Sequence, residues 1–553
     1  MSYSLLEPVT MPPNTASATA NPSQRVSKDM SVGPLDLLQS GPAAGSHSDA
    51  AGVLNVAIVG AGICGMCTAI TLAERGHHIT LYERDGSPPA GGAETAFFEW
   101  KRSGAGQFRH PHAFLGLVCN LLAERYPQLL EQLFAAGARK VDFSEMLPYA
   151  LREHYQPQPG DEALWVLMCR RATMETVIRK HVESLPGVRI VSGVTVTGLI
   201  AQPAGPGRPL ELQGLYVDRD QAVHADVVVD ASGRTSRLPR MLADLGVEIP
   251  EEKEDAEILY YTRHYRLQPG AEEPPRGKLP GAGDLGYLKF GVFPGEDGHF
   301  AIILCIPVQE LALKKALRDG DQFDRICRSI PGLAPWLEEQ RSAPTTDSFG
   351  IADIHAVWRD YAPADAPLVH NFFAVGDAHV RTNPLYGRGC STGVLHAAML
   401  ADVLAGAGPG ASADEARARA LAFEQLTLEG VRPIYDASLS EDRKGKSRAL
   451  ALREGRNLDR AKSLKQYLGL AFGDALSAAA VEQVHVVRGL MRTVNLLEKP
   501  GAFLEDSQIK RTLLRYMLRG RRRNAASRLQ PGPDRDAMHQ RVLAIDGGGL
   551  PNT

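Results

Sequence analysis

No apolar run in this sequence reaches the ~18 residues that a membrane-spanning helix requires, so no transmembrane segment is expected. Cysteine is scarce: seven residues scattered over 553 positions, an odd number, exclude a disulfide framework and fit a reducing cytoplasm. Neither charge sign dominates. A net charge of -3 does not supply the basic surface that general nucleic-acid binding needs. The start lacks the basic residues and apolar stretch of a secretory signal. Nor is there a serine–histidine–aspartate set, a paired-carboxylate signature or a metal-ligand spacing, so no catalytic side chain and no metal site is named from sequence.

What the chain does have is concentrated between Val56 and Glu83, VAIVGAGICGMCTAITLAERGHHITLYE. Val56 to Val59 is a short apolar run suited to a strand buried on both faces of a parallel sheet. Gly60, Gly62 and Gly65 follow at G-x-G-x-x-G spacing. The first permits a tight turn, the second lets backbone approach a pyrophosphate, and the third lets the next helix pack close to the strand. Gly76 stops that helix, Ile79 to Tyr82 makes a second strand, and Glu83 stands about 20 residues past the glycines, where an acid accepts from adenosine ribose hydroxyls. A dinucleotide site is expected. Cys64 and Cys67 spell C-x-x-C within this turn and helix; with no second ligand pair, they read as small packing residues.

The rest divides by composition. Residues 1–52 are rich in Ser, Ala, Pro and Gly and are expected to be disordered. Residues 53–240 read as the first part of an α/β cofactor domain, with a helical insertion at about 93–160. There the run Phe114 to Ala136 suggests two helices broken near Pro127. Arg109 just before it is a plausible phosphate ligand, whereas His110 and His112 read as exposed and incidental. Val227 to Val229 is a further buried strand, ending in a second turn at Asp230 to Arg234. Residues 241–367 turn β-rich, with strands at Tyr287 to Phe293 and His299 to Pro307, and read as a substrate-covering domain. The α/β pattern returns at 368–405, where Phe372 to Val375 leads into Gly376-Asp377 and the NPLYGRG loop. Residues 406–535 are expected to be helical, with a Ser412/Glu415 capping box, and 536–553 to be a flexible tail. Lys510 to Arg523 is basic with interleaved leucines, which reads as a solvated helix in preference to a membrane-surface or acidic-partner contact.

Three turns of one nucleotide-binding sheet, at 60–65, 230–234 and 376–389, interrupted by a β-layer, resemble the FAD-binding arrangement of the flavoprotein monooxygenases: aromatic hydroxylases, squalene-type and polyether epoxidases, and flavin-dependent halogenases. NPLYGRG, DASGRTSRLPRMLADLG and RHPHAFL look closest to the epoxidase-like branch acting on natural products. The resemblance implies a Rossmann-type FAD domain built from discontinuous segments. Gly60, Gly62 and Gly65 would then hold the pyrophosphate, and Glu83, with Arg84 beside it, the adenosine ribose. Arg109 and Arg171 would meet phosphates or the ribityl chain, and Val194 the adenine through its backbone. Asp230 and Gly233 belong to the middle motif, Asp377 would bind ribityl hydroxyls, and Pro384, Gly387 and Gly389 would lie against the isoalloxazine.

The implied activity is insertion of one oxygen atom from O2 into a hydrophobic small molecule through a flavin C4a-hydroperoxide, with the cofactor carrying the chemistry. No second dinucleotide unit is evident, so electrons come from NAD(P)H docking transiently or from a separate flavin reductase. A halogenase on the same fold is disfavoured by the missing W-x-W-x-I-P motif. A geranylgeranyl-reductase-like flavin reductase and a flavin-binding protein without turnover remain open.

Overall fold

The computed structural model describes residues 52–202, 209–528 and 530–546. The disorder expected for 1–52 therefore lies outside the described residues, Gly52 apart. A five-stranded, all-parallel sheet forms the frame, in the order Phe372–Ala374, Val227–Asp230, Asn55–Val59, His78–Glu83, Val188–Ser192. Strands far apart in sequence meet because the central ones are apolar on both faces. Val56 and Ile58 pack into one core cluster and Ala57 and Val59 into another, and Val227 to Val229 alternate in the same way. Helices Ile63–Ala73 and Gly389–Val403 cover the first face. A smaller sheet holding Val196–Gln202 and Leu210–Val217 covers the second.

The glycine turn has the expected division of labour. Gly60 is left-handed at φ +101°, and a Cβ there would meet the Ala231 carbonyl at 2.7 Å. A Cβ at Gly65 would run into the Gly60 carbonyl, so this glycine serves helix packing. Cys64 and Cys67 are free thiols, and Cys64 fills space left by the absent side chains of Gly376 and Gly393.

The helical insertion contains Gly116–Arg125 and Pro127–Ala135, with Pro127 opening the second helix, where its missing N–H costs nothing. The β-rich part is an antiparallel sheet in which Lys289–Pro294 and Ile258–Leu267 flank His299–Pro307. The first of these strands begins two residues later than expected. Helices occupy much of the region after residue 412, and the Ser412/Glu415 capping box is present, Glu415 accepting the Ser412 amide at 2.7 Å.

One correction concerns the tail. Residues Arg535–Asp546 form a helix whose Met538 and Val542 enter the core of the β-rich part. It is held there because Arg535 and His539 donate to the buried Glu310 at 2.7 and 2.8 Å.

Candidate functional site

A cavity of about 1160 Å3 opens at the C-terminal ends of the parallel strands, where Val59, Glu83, Val194, Ala231 and Val375 line it. Strand ends of one sheet are where an α/β fold gathers loops without disturbing its core. Gly60, Gly62, Glu83, Arg84, Arg171, Val194, Gly233, Asp377, Pro384, Gly387 and Gly389 all border this cavity. Three sequence candidates do not: Gly65, Arg109 and Asp230.

Each exception has a physical reason. Gly65 faces the Gly60 carbonyl, as described. Arg109 turns to the surface and donates to the Phe98 carbonyl at 2.7 Å. Asp230 is fully buried and tied up in its own turn, accepting from the Ser232 amide at 3.0 Å and from the Ser232 and Ser236 hydroxyls at 2.5 Å each. Burial pushes its carboxyl upward and the serine donors oppose that, so its role is to shape the loop that carries Gly233 into the cavity.

The cation that sequence reasoning missed is Arg102. It lines the cavity, and its guanidinium lies 3.1 Å from Glu83, 3.3 Å from Asp85 and 3.1 Å from Glu175. Burial works against its charge, yet Glu175 and Glu83 hold it above the usual range. Arg171 donates to the other oxygen of Glu175 at 2.5 Å. A Cβ built on Gly62 would sit 3.9 Å from both Arg102 and Arg171, so two guanidinium groups face the turn across open space. Glu83 accepts the amides of Ala61 and Asp85 at 3.0 Å each, which fixes its carboxylate at the end of its strand.

Asp377 lies where the third turn meets the cavity, 3.5 Å from where a Cβ on Gly389 would be. Burial raises its carboxyl, with Arg381, Arg171 and Arg234 opposing. The loop that follows is pinned from outside. Asp442 accepts from the Asn383 amide at 2.7 Å and from the Tyr386 hydroxyl at 2.8 Å, the Leu385 amide donates to the Asn383 side chain at 3.0 Å, and Arg388 donates to Ser438 at 2.6 Å. Gly387 needs its left-handed φ of +67° to close this loop.

His110 and His112 read as exposed and incidental from sequence, but both lie along the cavity. The His110 ring is within 2.8 Å of the Thr262 hydroxyl, and His112 Nδ1 lies 2.8 Å from the His110 carbonyl. Since a carbonyl only accepts, His112 carries its proton on Nδ1 and leaves Nε2 as an acceptor. Burial depresses both rings to about 3, so both are neutral.

The chain is similar to known proteins. The family profile "FAD dependent oxidoreductase" matches residues 55–153. An FAD-dependent monooxygenase of Aspergillus terreus is 25% identical over 376 residues, 64% of this chain and 77% of its own length. Protein Rv3254 of Mycobacterium tuberculosis is 25% identical over 367 residues, 62% of this chain and 71% of its own. Residues 55–153 thus carry an FAD-dependent oxidoreductase domain, and the chain is similar to FAD-dependent monooxygenases. The fold agrees: the crystal structure of p-nitrophenol 4-monooxygenase PnpA from Pseudomonas putida superposes with a TM-score of 0.50 at 15% identity, over 81% of this chain and 99% of that one.

The oxidoreductase's cavity suits FAD. Nothing lies within 4 Å of a Cβ at Gly233, and only the two arginine tips approach one at Gly62, so backbone is laid bare to a long ligand. Cations stand at the first turn and a carboxylate at the third, the donor set that a pyrophosphate and a polyhydroxyl chain require. Among the described residues no cluster could hold a metal ion, and no helix is long and apolar enough to cross a membrane.

Proposed function

We propose that this oxidoreductase is a monooxygenase that delivers one atom of O2, by epoxidation or hydroxylation, to a hydrophobic small molecule such as a natural-product intermediate. One continuous cavity supports this. Its strand-end portion carries the groups just described, and its lining also includes the apolar side chains of Phe290, Val292, Ile303, Leu490 and Val494, an apolar chamber. A cavity with both polar and apolar lining suits a charged cofactor meeting a greasy substrate.

In this reading Gly60, Gly62, Arg102 and Arg171 hold the pyrophosphate, and Glu83, Arg84 and Val194 the adenosine. Gly233 leaves room for the chain between them, Asp377 receives the ribityl hydroxyls, and Pro384, Gly387 and Gly389 back the ring. Bound there, FAD supplies the activation of O2 and the oxygen transfer that no side chain can perform. The protein's part is to orient the substrate and keep water out. Tyr260, Phe290 and Val292, from the β-rich residues 241–367, form part of that apolar cover. His112 Nε2 offers a neutral acceptor for a hydroxyl at the cavity wall. Electrons come from NAD(P)H or from a separate flavin reductase.

The test is turnover with labelled dioxygen. The FAD-loaded chain is supplied with reductant, chloride or bromide, and a panel of apolar alkenes and arenes, and the products are weighed. A gain of one labelled oxygen supports the proposal. A halogen isotope pattern, a gain of two hydrogens, or a chain that binds no flavin overturns it.

A further inference from the structure

The segment Ser507 to Arg528 contains eight lysines and arginines and no acid. Three of the eight are neutralised inward. Arg519 pairs with Glu482 at 2.8 Å, Arg521 with Asp474 at 2.8 Å, and Arg528 donates to the same Asp474. The other five, Lys510, Arg511, Arg515, Arg522 and Arg523, are exposed, and among the described residues none has a carboxylate at ion-pair distance. Helix Ser507–Arg519 buries Ile509, Leu513 and Tyr516 on one side against helix Leu464–Glu482. Its other side carries Leu514 and Leu518, one turn apart and 59% and 79% exposed, on the stripe that also holds Arg511 and Arg515. Scattered exposed leucines are ordinary. Two on one stripe amid unpaired cations are the composition of an interfacial helix face.

Helix Leu464–Glu482 strengthens the case. Leu464, at its first turn, is 74% exposed and Leu468 49%. Arg521 lies 5.8 Å over the Tyr467 ring between them. The other end of this helix, at Ala480 and Val481, lines the cavity, and the next helix adds Leu490 and Val494 to the apolar chamber.

We propose that this face docks on an anionic lipid bilayer, Leu514 and Leu518 entering the boundary of headgroups and acyl chains while the five cations sit among the phosphates. Nucleic acid matches the cations but offers nothing to two leucines exposed this far, whereas a bilayer surface satisfies both. Docking would bring the helices that wall the chamber beside a reservoir of apolar molecules. It requires no bound flavin, so its success or failure is independent of the proposed activity.

The test is flotation of the full chain with vesicles of phosphatidylcholine, with and without phosphatidylglycerol. Binding is expected only to the anionic vesicles and should weaken as salt rises. Each exposed cation contributes about fivefold to the partition. Arg511→Glu/Arg515→Glu should therefore lower binding by more than about tenfold, and Leu514→Glu/Leu518→Glu by at least as much. Melting temperature and flavin content should stay unchanged in both, because all four side chains are exposed. Equal binding to neutral vesicles, undiminished binding of either variant, or retention on duplex DNA or an acidic polypeptide without vesicle binding overturns the proposal.

Discussion

Arg102 stands 3.1 Å from Glu83, a cation from the loop after helix Gly92–Glu99 braced against the acid that ends the second strand. It also serves Asp85 and Glu175, and all three carboxylates are buried. Removing one partner of a buried ion pair leaves charges with neither water nor counterion, which costs about 3–5 kcal/mol.

Arg102→Ala is therefore expected to lower unfolding free energy by about that amount, measured by denaturant titration, and to purify without flavin. Arg109→Ala removes only a surface bond to a carbonyl and should shift stability by less than about 1 kcal/mol, with flavin content intact. Equal flavin loss in both variants would contradict the placement of these two arginines.

Gly62 and Gly65 should fail in different ways. Gly62 has extended backbone, φ -80° and ψ -176°, and open space before it, so Gly62→Val can fold and loses only the close approach of ligand to backbone. A wild-type circular dichroism spectrum with no absorbance at flavin wavelengths is expected. Gly65→Ala drives a methyl into the Gly60 carbonyl and should yield little soluble protein. A yellow Gly62→Val protein would refute the assignment of this turn.

Much of the frame was legible because its signals are local. An apolar run such as Val56 to Val59 can only be buried, and glycine spacing before a helix carries its own steric logic. Arg102 was invisible because its position depends on three acids from two segments, Glu83 and Asp85 around the end of the second strand and Glu175 on a distant helix. Arg109 drew notice for its closeness to the next helix and for its match to the family's phosphate-contacting arginines. Asp230 reads like a ligand at a strand end, yet Ser232 and Ser236 consume its oxygens. His110 and His112 look like surface residues until Thr262 and a backbone carbonyl supply the partners that make burial tolerable.

The C-terminal helix makes the same point about stability. Half of its twelve residues are apolar and Met538 and Val542 stand one turn apart, yet a segment this near the end of the sequence reads as loose; Met538 is fully buried and Val542 nearly so. Met538→Ala should cost about 2–5 kcal/mol in denaturant titration. Truncation before Arg535 should cost more, since it also leaves Glu310 buried without its two donors. A truncated chain as stable as the full one would restore the expectation of a loose tail.

Asp442 ties the cavity loop to acidity. One of its oxygens accepts from both Asn383 and Tyr386, and the other is buried with no hydrogen-bond partner. Burial pushes its carboxyl up to about 6 from an ordinary 3.8; the two donors and Lys446 oppose the rise and neighbouring Glu441 adds to it. Between those values the folded chain keeps a proton that the unfolded chain has released. Stability contributed at this site is thus greatest below about pH 4 and is lost as pH rises through about 6, by up to about 3 kcal/mol. Asp442→Asn keeps an oxygen for both donors and cannot titrate. Its stability relative to wild type should therefore climb across that window and level off above about pH 7. Because Asn383 and Tyr386 shape the wall beside the proposed ring position, flavin fluorescence should change over the same window in wild type and not in the variant. Parallel stability curves would mean that Asp442 does not hold its proton in the folded chain.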